Sequence, residues 1–214
     1  MNPYTKIQSP RHEGVFLKVI PGHFVTPNSH INSYIDMTTM KSRQSEARAS
    51  AKALAESYVR GTVVDTIVCM DNTEVIGAYL AEELTENGVE NKNLHRTMYV
   101  LTPEYDTYGQ MIFRDNTRIM LQDKHVLLLL ASTTTGRTMK SAMKAIRVHG
   151  GEVVGVSAIF STMTEVDGVA VHALYSGADL PAYESHMADE CKMCESGIPV
   201  DAICNGFGYT EVNR

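Results

Sequence analysis

One short segment concentrates the side chains best suited to holding an anion. It supplies five hydroxyls, a glycine and an arginine between an apolar run and a stretch with helical spacing. A helix N-terminus presents unpaired N–H groups and a partial positive charge, and glycine lets the backbone close around an oxyanion. The segment predicts a phosphate-binding loop; the alternative is that its threonines only cap the helix. In chain order the residues are Ser132, Thr133, Thr134, Thr135, Gly136, Arg137 and Thr138.

A second polar turn, formed by Asp71, Asn72, Thr73 and Glu74, follows another apolar run. Two carboxylates at the end of a buried strand could bind a cation or act as a general base on a phosphosugar. The alternative is structural: Asp71 or Thr73 caps the next helix, and Glu74 favours its positive end.

The C-terminal segment contains a C-x-x-C pair that could hold a metal. Cys191 and Cys194 form half of a zinc knuckle, and Cys204 and His186 are the candidates to complete it. Four-ligand zinc sites usually combine two closely spaced pairs, whereas Cys204 stands alone. We therefore expect reduced, buried cysteines here rather than zinc.

Both polar turns lie in a pattern of alternating strands and helices. Residues 125–131, 139–148 and 152–160 predict a strand, a helix and a strand, which together make a βαβ unit. We predict an α/β fold with a mostly parallel sheet flanked by helices and a right-handed crossover. Further predicted elements are a helix over 42–60 capped by Ser42, a strand over 62–70, a helix over 75–84 that ends near Asn87 and Gly88, a strand over 31–37, and short strands around a mobile loop over 95–122.

Composition and charge exclude several classes of protein. The 214 residues are 43% hydrophobic and 21% charged, which is ordinary for one globular domain and excludes wholesale disorder. A net charge of −6 without a Lys/Arg block argues against a nucleic-acid or anionic-membrane partner. The longest apolar run, 126–131, is too short to span a bilayer. We expect a cytoplasmic protein of one domain, 1–214.

The segment His125–Phe160 resembles the strand–loop–helix–strand signature of the type I phosphoribosyltransferases. In that family a T-T-G-x-T loop, here 134–138, holds the 5′-phosphate of phosphoribosyl pyrophosphate (PRPP). Two flanking stretches, 22–36 and 179–199, are similar to the orotate phosphoribosyltransferase branch. The resemblance implies PRPP or a nucleotide monophosphate as ligand, a homodimer, a small hood built from about 15–40 with the tail 180–214, and His30 on the side of the base.

Several positions depart from the family pattern. The family's acidic pair, which contacts the ribose directly or through Mg²⁺, falls on Leu130 and Ala131, and neither side chain can bind a hydroxyl or a cation. The loop that is basic in the family carries Glu104 and Asp106, and the glycine-rich pyrophosphate loop is the acidic turn 71–74. These changes argue against ordinary phosphoribosyl transfer, whereas the loop 132–138 keeps the residues of a phosphate site. We therefore expect binding of a phosphate ester without ordinary transferase activity.

Two other functions remain open. One is an active phosphoribosyltransferase on another base with rearranged charges, for which Arg114 and Arg118 are nearby cations. The other is a non-catalytic nucleotide or phosphosugar sensor.

Overall fold

The computed structural model describes residues 3–9, 11–86, 92–93 and 98–212. The chain divides into two compact units, residues 1–39 with 177–214 and residues 40–176. The second unit carries both polar turns, and the first carries the C-x-x-C pair. The organisation as one domain over 1–214 stays a prediction.

The elements follow one another along the chain. The strands are β1 (Thr5–Gln8), β2 (Phe16–Val25), β3 (His30–Asp36), β4 (Thr66–Cys69), β5 (Tyr99–Leu101), β6 (Glu104–Tyr105), β7 (Met111–Ile112), β8 (His125–Thr133), β9 (Glu152–Ser161), β10 (Glu165–Val166), β11 (Val169–Ser176), β12 (Ser185–His186), β13 (Ala202–Asn205) and β14 (Gly208–Glu211). The α-helices are α1 (Thr38–Ser42), α2 (Gln44–Ala55), α3 (Glu74–Thr85), α4 (Asp115–Arg118), α5 (Arg137–Val148) and α6 (Lys192–Glu195).

A six-stranded sheet forms the centre of the second unit, in the order β10-β11-β9-β8-β4-β5. All neighbours are parallel except the β10–β11 pair, which confirms the predicted α/β class. Helices cover both faces. Val126, Leu128 and Leu130 of β8 pack in one apolar cluster with α5. On the opposite face Tyr58 donates a hydrogen bond to the Val156 carbonyl, and its ring lies where a Cβ of Gly155 would point.

Several predicted boundaries differ from those of the structure. Helix α2 begins at Gln44 after Arg43, which makes no side-chain capping bond, so the prediction that Ser42 caps this helix is wrong. Strand β8 runs two residues further than predicted, to Thr133, and α5 begins two residues earlier, at Arg137. The predicted helix end at Asn87 and Gly88 lies outside the described residues. The stretch 95–122 contains β5, the hairpin β6–β7 and α4.

The first unit is built on a second sheet, in the order β12-β3-β2-β13-β14, with β1 also paired to β2. Strands β2 and β3 are antiparallel, but their register shifts between Pro21 and Phe24. Gly22 and His23 thus oppose a single residue, Asn32, as in a β-bulge, which redirects the side chains it carries. No helix in the described part of the chain is long and apolar enough to cross a membrane.

Candidate functional site

The predicted phosphate-binding loop joins β8 to α5 at the carboxyl end of the parallel sheet. Gly136 has a φ of 71°, and a Cβ there would lie 2.9 Å from the Met163 sulfur. The loop is fixed from outside by Thr162, whose Oγ1 donates to the Thr134 carbonyl at 2.9 Å and whose N–H donates to the Thr133 carbonyl at 3.2 Å. The backbone is therefore held while its side chains remain available.

The hydroxyls of this loop do not cap the helix. Gly136 occupies the N-cap position of α5, and no side chain there accepts a hydrogen bond from the first turn. Among the described residues, the hydroxyls of Ser132, Thr133, Thr134, Thr135 and Thr138 have no hydrogen-bond partner. The structural alternative, in which the threonines serve as caps, does not describe this loop. Donors of the loop and of the helix end are both unused, as an anion site requires.

The acidic turn after β4 brings a carboxylate to the end of the neighbouring strand. Asp71 and Asn72 both adopt left-handed backbone angles, with φ of 56° and 61°. The Ala131 N–H donates to Oδ2 of Asp71 at 3.3 Å, and the Lys41 ammonium donates to the Asp71 carbonyl at 2.8 Å. Asp71 thus lies beside one of the two positions where the family's acidic pair is missing.

Neither Asp71 nor Thr73 caps the next helix. Thr73 occupies the N-cap position of α3 without a side-chain capping bond, and its hydroxyl donates back to the Met70 carbonyl at 2.7 Å. Glu74 accepts a hydrogen bond from Thr102 Oγ1 at 3.0 Å. The prediction that Asp71 or Thr73 caps α3 is therefore wrong, whereas Glu74 lies in the first turn of α3, near its positive end, as the structural alternative predicts.

Burial is the main influence on the Asp71 carboxyl. It raises the pKa of Asp71, as does the charge of Glu74, while the Ala131 N–H and the Lys41 ammonium act in the opposite direction. Leu130 and Ala131 are buried, and Leu130 belongs to the apolar cluster. A divalent cation needs oxygen ligands, so positions 130 and 131 do not fit the Mg²⁺ that the family uses.

The loop that is basic in the family is here a short hairpin, β6–β7, near the acidic turn. The Tyr105 hydroxyl lies 3.9 Å from the Met70 sulfur, and the charge of Asp71 adds to burial in raising the pKa of Tyr105. Arg114 donates two hydrogen bonds, from Nε at 3.0 Å and from Nη2 at 2.8 Å, to the same oxygen, Oε2 of Glu104. Arg114 is thus already paired, and Arg118 in α4 is exposed.

The C-x-x-C pair meets two histidines within the first unit. His23, His30, Cys191 and Cys194 each direct one ligand atom into a group whose members all lie within 4.8 Å. Cys204 is not among them: it is buried in a small cluster with Phe24 and Ala202.

The predicted ligand sets are corrected by this geometry. Cys204 does not complete the C-x-x-C pair, and His186 instead bonds Glu184 at 3.0 Å. His23, which sequence reasoning did not propose as a ligand, belongs to the group. His30, expected beside the base, has its Nδ1 3.3 Å from the Cys194 sulfur.

No family model matches the chain. Two curated orotate phosphoribosyltransferases of Thermus thermophilus are each 30% identical to it over 105 residues, 48% of this chain and 55% of theirs. The chain therefore spans about half the length of the curated relatives it matches.

Solved structures share the architecture at low identity. UMP synthase of Leishmania donovani has a TM-score of 0.56 at 17% identity, covering 76% of this chain and 34% of that one. Orotate phosphoribosyltransferase of Mycobacterium tuberculosis, in complex with PRPP, has a TM-score of 0.51 at 15% identity, covering 69% and 82%. The fold is that of the type I phosphoribosyltransferases. Over these 105 residues the chain is similar in sequence to orotate phosphoribosyltransferase.

Proposed function

We propose that the loop 132–138 binds the 5′-phosphate of a phosphoribosyl ligand, either PRPP or a nucleotide monophosphate. The observation that carries the proposal is the uncapped start of α5 at Gly136, surrounded by five hydroxyls without partners in the described part of the chain. Arg137 is exposed beside them and adds the one positive side chain of the loop. A phosphate group would satisfy these donors together. The relation to orotate phosphoribosyltransferase supports the same ligand class.

Ordinary transfer chemistry has less support than binding. Positions 130 and 131 supply no acid for the ribose hydroxyls, and the hairpin presents Glu104 with its nearest arginine already paired. The carboxylates of Glu104 and Asp71 would repel a nearby pyrophosphate group unless other groups neutralise its negative charge. Binding without ordinary transfer is therefore the leading function, and a sensor is compatible with it.

One observation favours a second function, an active transferase with a relocated acid. Asp71 reaches across from β4 and accepts the Ala131 N–H at the end of β8. Its carboxylate could contact the ribose hydroxyls in place of the missing pair. In that case the enzyme would act on a base that the sequence does not identify.

The proposal is tested by calorimetric titration with ribose 5-phosphate, orotidine monophosphate and PRPP, the last with and without Mg²⁺. Thr135→Val removes a loop hydroxyl while keeping the shape of its side chain. A hydrogen bond to a charged group contributes about 1.5–3 kcal/mol, so we expect affinity to fall about tenfold or more. The control is Thr85→Val, which alters a hydroxyl at the end of α3 that bonds the Ala81 carbonyl.

Each outcome separates the functions. Tight Mg²⁺-dependent binding of PRPP with pyrophosphate release would establish the active transferase. Binding of the monophosphates alone would establish the phosphate site without transfer. If no phosphate ester binds, or Thr135→Val and Thr85→Val behave alike, the proposal is wrong.

A further inference from the structure

The four side chains of the histidine–cysteine group are spaced as the ligands of one metal ion are. His23 Nε2 lies 3.0 Å from His30 Nδ1, 3.6 Å from the Cys191 sulfur and 3.7 Å from the Cys194 sulfur. The Cys194 sulfur lies 3.3 Å from His30 Nδ1. With Zn–S of about 2.3 Å and Zn–N of about 2.0–2.1 Å, tetrahedral ligand atoms are about 3.3–3.8 Å apart. The observed distances lie close to these values.

The orientation of His23 is fixed by groups outside the cluster. Its Nδ1 lies 2.9 Å from the Ile198 carbonyl, which accepts a hydrogen bond from a protonated Nδ1 and leaves the Nε2 lone pair directed at the cysteines. This arrangement, in which the second ring nitrogen donates to a carbonyl, is common among metal-bound histidines. The backbone is held as well, since the His23 N–H donates to Asp201 Oδ2 and the Asp201 N–H donates to the His23 carbonyl.

The bulge in β2 makes this arrangement possible. Gly22, next to His23, has no Cβ, and a Cβ there would lie 2.7 Å from Asp201 Oδ2. Glycine therefore allows the Asp201 carboxylate to approach the strand. His30 begins β3, on the other arm of the hairpin.

The cysteines come from a single helical turn in the tail. Cys191 is the N-cap of α6 and Cys194 lies three residues later, so both sulfurs share one face. The turn ends at Gly197, with a φ of 69°, and the Ile198 N–H donates to the Met193 carbonyl. The segment that supplies the two sulfurs also supplies the carbonyl that orients His23. All four cysteines are free thiols, so no disulfide occupies the pair.

We propose that His23 Nε2, His30 Nδ1 and the sulfurs of Cys191 and Cys194 bind one zinc ion in a closed tetrahedral site. Two thiolates and two imidazoles are a donor set that zinc accepts, and binding releases the two thiol protons. Four protein ligands leave no position for a substrate, so the ion is structural. It joins the β2–β3 hairpin to the tail segment within the first unit. All four ligands belong to the first unit, and the zinc proposal does not depend on the proposed function.

Metal analysis of protein purified under reducing conditions without chelator tests the site. We expect about one zinc per chain after equilibration with zinc and removal of excess, and release of that zinc by a strong chelator. Replacement by Co²⁺ should give the absorption of a tetrahedral cobalt site with thiolate charge transfer. Substoichiometric zinc after equilibration, or a cobalt spectrum without thiolate bands, would overturn the proposal.

Matched variants identify the ligands. Cys194→Ser and His30→Ala should each lose stoichiometric zinc and the tetrahedral cobalt spectrum. Cys204→Ala and His186→Ala, which alter the other cysteine and another histidine of the same unit, should retain both. If the ligand variants bind zinc as tightly as the controls, the four residues are not the ligands. Zinc and cobalt binding by the unaltered chain decides the matter even where a variant fails to fold.

Discussion

The carboxylate of Asp71 links the turn after β4 to the neighbouring strand β8. The sequence predicts a polar turn at this position, with the alternative that Asp71 or Thr73 caps the next helix. The left-handed angles at Asp71 and Asn72 instead direct the chain so that the carboxylate meets the Ala131 N–H of the neighbouring strand. Burial of this carboxyl disfavours its ionised form and so raises the pKa of Asp71. A half-buried carboxyl with a raised pKa at a strand end is typical of groups that act in ligand binding.

Replacing Asp71 by asparagine should alter the pH dependence of stability. Because the pKa of Asp71 is raised in the folded protein, ionisation is harder there than in the unfolded chain, whose pKa is about 3.9. The wild type should thus lose stability relative to Asp71→Asn as pH rises from about 4 through the folded-state pKa. Urea unfolding of both proteins across this range measures the difference.

The two outcomes have clear meanings. If the difference in unfolding free energy between Asp71→Asn and the wild type grows with pH, burial of the Asp71 carboxyl is supported as the cause of its raised pKa. If that difference does not change with pH, the explanation is wrong. Where the protein is an active transferase, the same variant should also lose turnover while still binding inorganic phosphate at the 132–138 loop. If turnover is unchanged in this variant, Asp71 does not replace the missing acidic pair.

At the scale of elements, the turn between β8 and α5 depends on glycine at position 136. Gly136→Ala introduces both a strained backbone angle and a contact 2.9 Å from the Met163 sulfur. Gly109 is a matched control, because it has a φ of 75° and nothing within 4 Å of a new Cβ. We expect Gly109→Ala to cost about 1 kcal/mol from backbone strain, and Gly136→Ala to cost about 1–3 kcal/mol more from overpacking. Chemical denaturation measures both, and equal losses would show that Met163 moves aside freely.

The β8–α5 unit was predictable from the sequence because its signals are local. A uniformly apolar run predicts a strand covered on both faces, and the hydroxyl-rich turn follows it directly. The boundaries moved by two residues because β8 continues through Ser132 and Thr133, pairing with Phe160 and Ser161 of β9. Such pairing is a property of the sheet and has no signal within the turn itself.

The histidine–cysteine group could not be predicted in the same way because its members are distant in sequence. His23 and Cys191 are separated by 168 residues. They meet because β13 pairs in parallel with β2 and because a bulge turns His23 inwards. The one sequence signal was the combination of a C-x-x-C pair with two histidines on the arms of one hairpin. Cys204 and His186 are closer to the pair in sequence, but neither belongs to the group.

At the scale of the whole molecule, the two compact units differ in how much apolar core each contains. Among the described residues, the first unit has fewer buried apolar side chains than the second, and one cluster of them is small: Ile20, Phe24, Ile31, Ala202 and Cys204. The second has a much larger one around β8 and α5. Small cores commonly depend on a metal or a disulfide for stability, and the cysteines here are free. The proposed zinc ion should therefore matter for the first unit far more than for the second.

Removal of zinc should loosen the first unit selectively, and hydrogen exchange of individual amides can measure this. The His23 N–H donates to the Asp201 carboxylate, and the Asp201 N–H donates to the His23 carbonyl. Because the ion joins the hairpin to the tail, a strong chelator should accelerate exchange of these two N–H groups about tenfold or more. Amides of β8 and β9 should keep their rates. His30→Ala should exchange rapidly at the same positions before any chelator is added and show no further change with it, whereas Cys204→Ala should respond to the chelator as the wild type does. Acceleration spread evenly over both units would mean that metal loss acts by global unfolding, and an unchanged pattern would mean that no metal supports this hairpin.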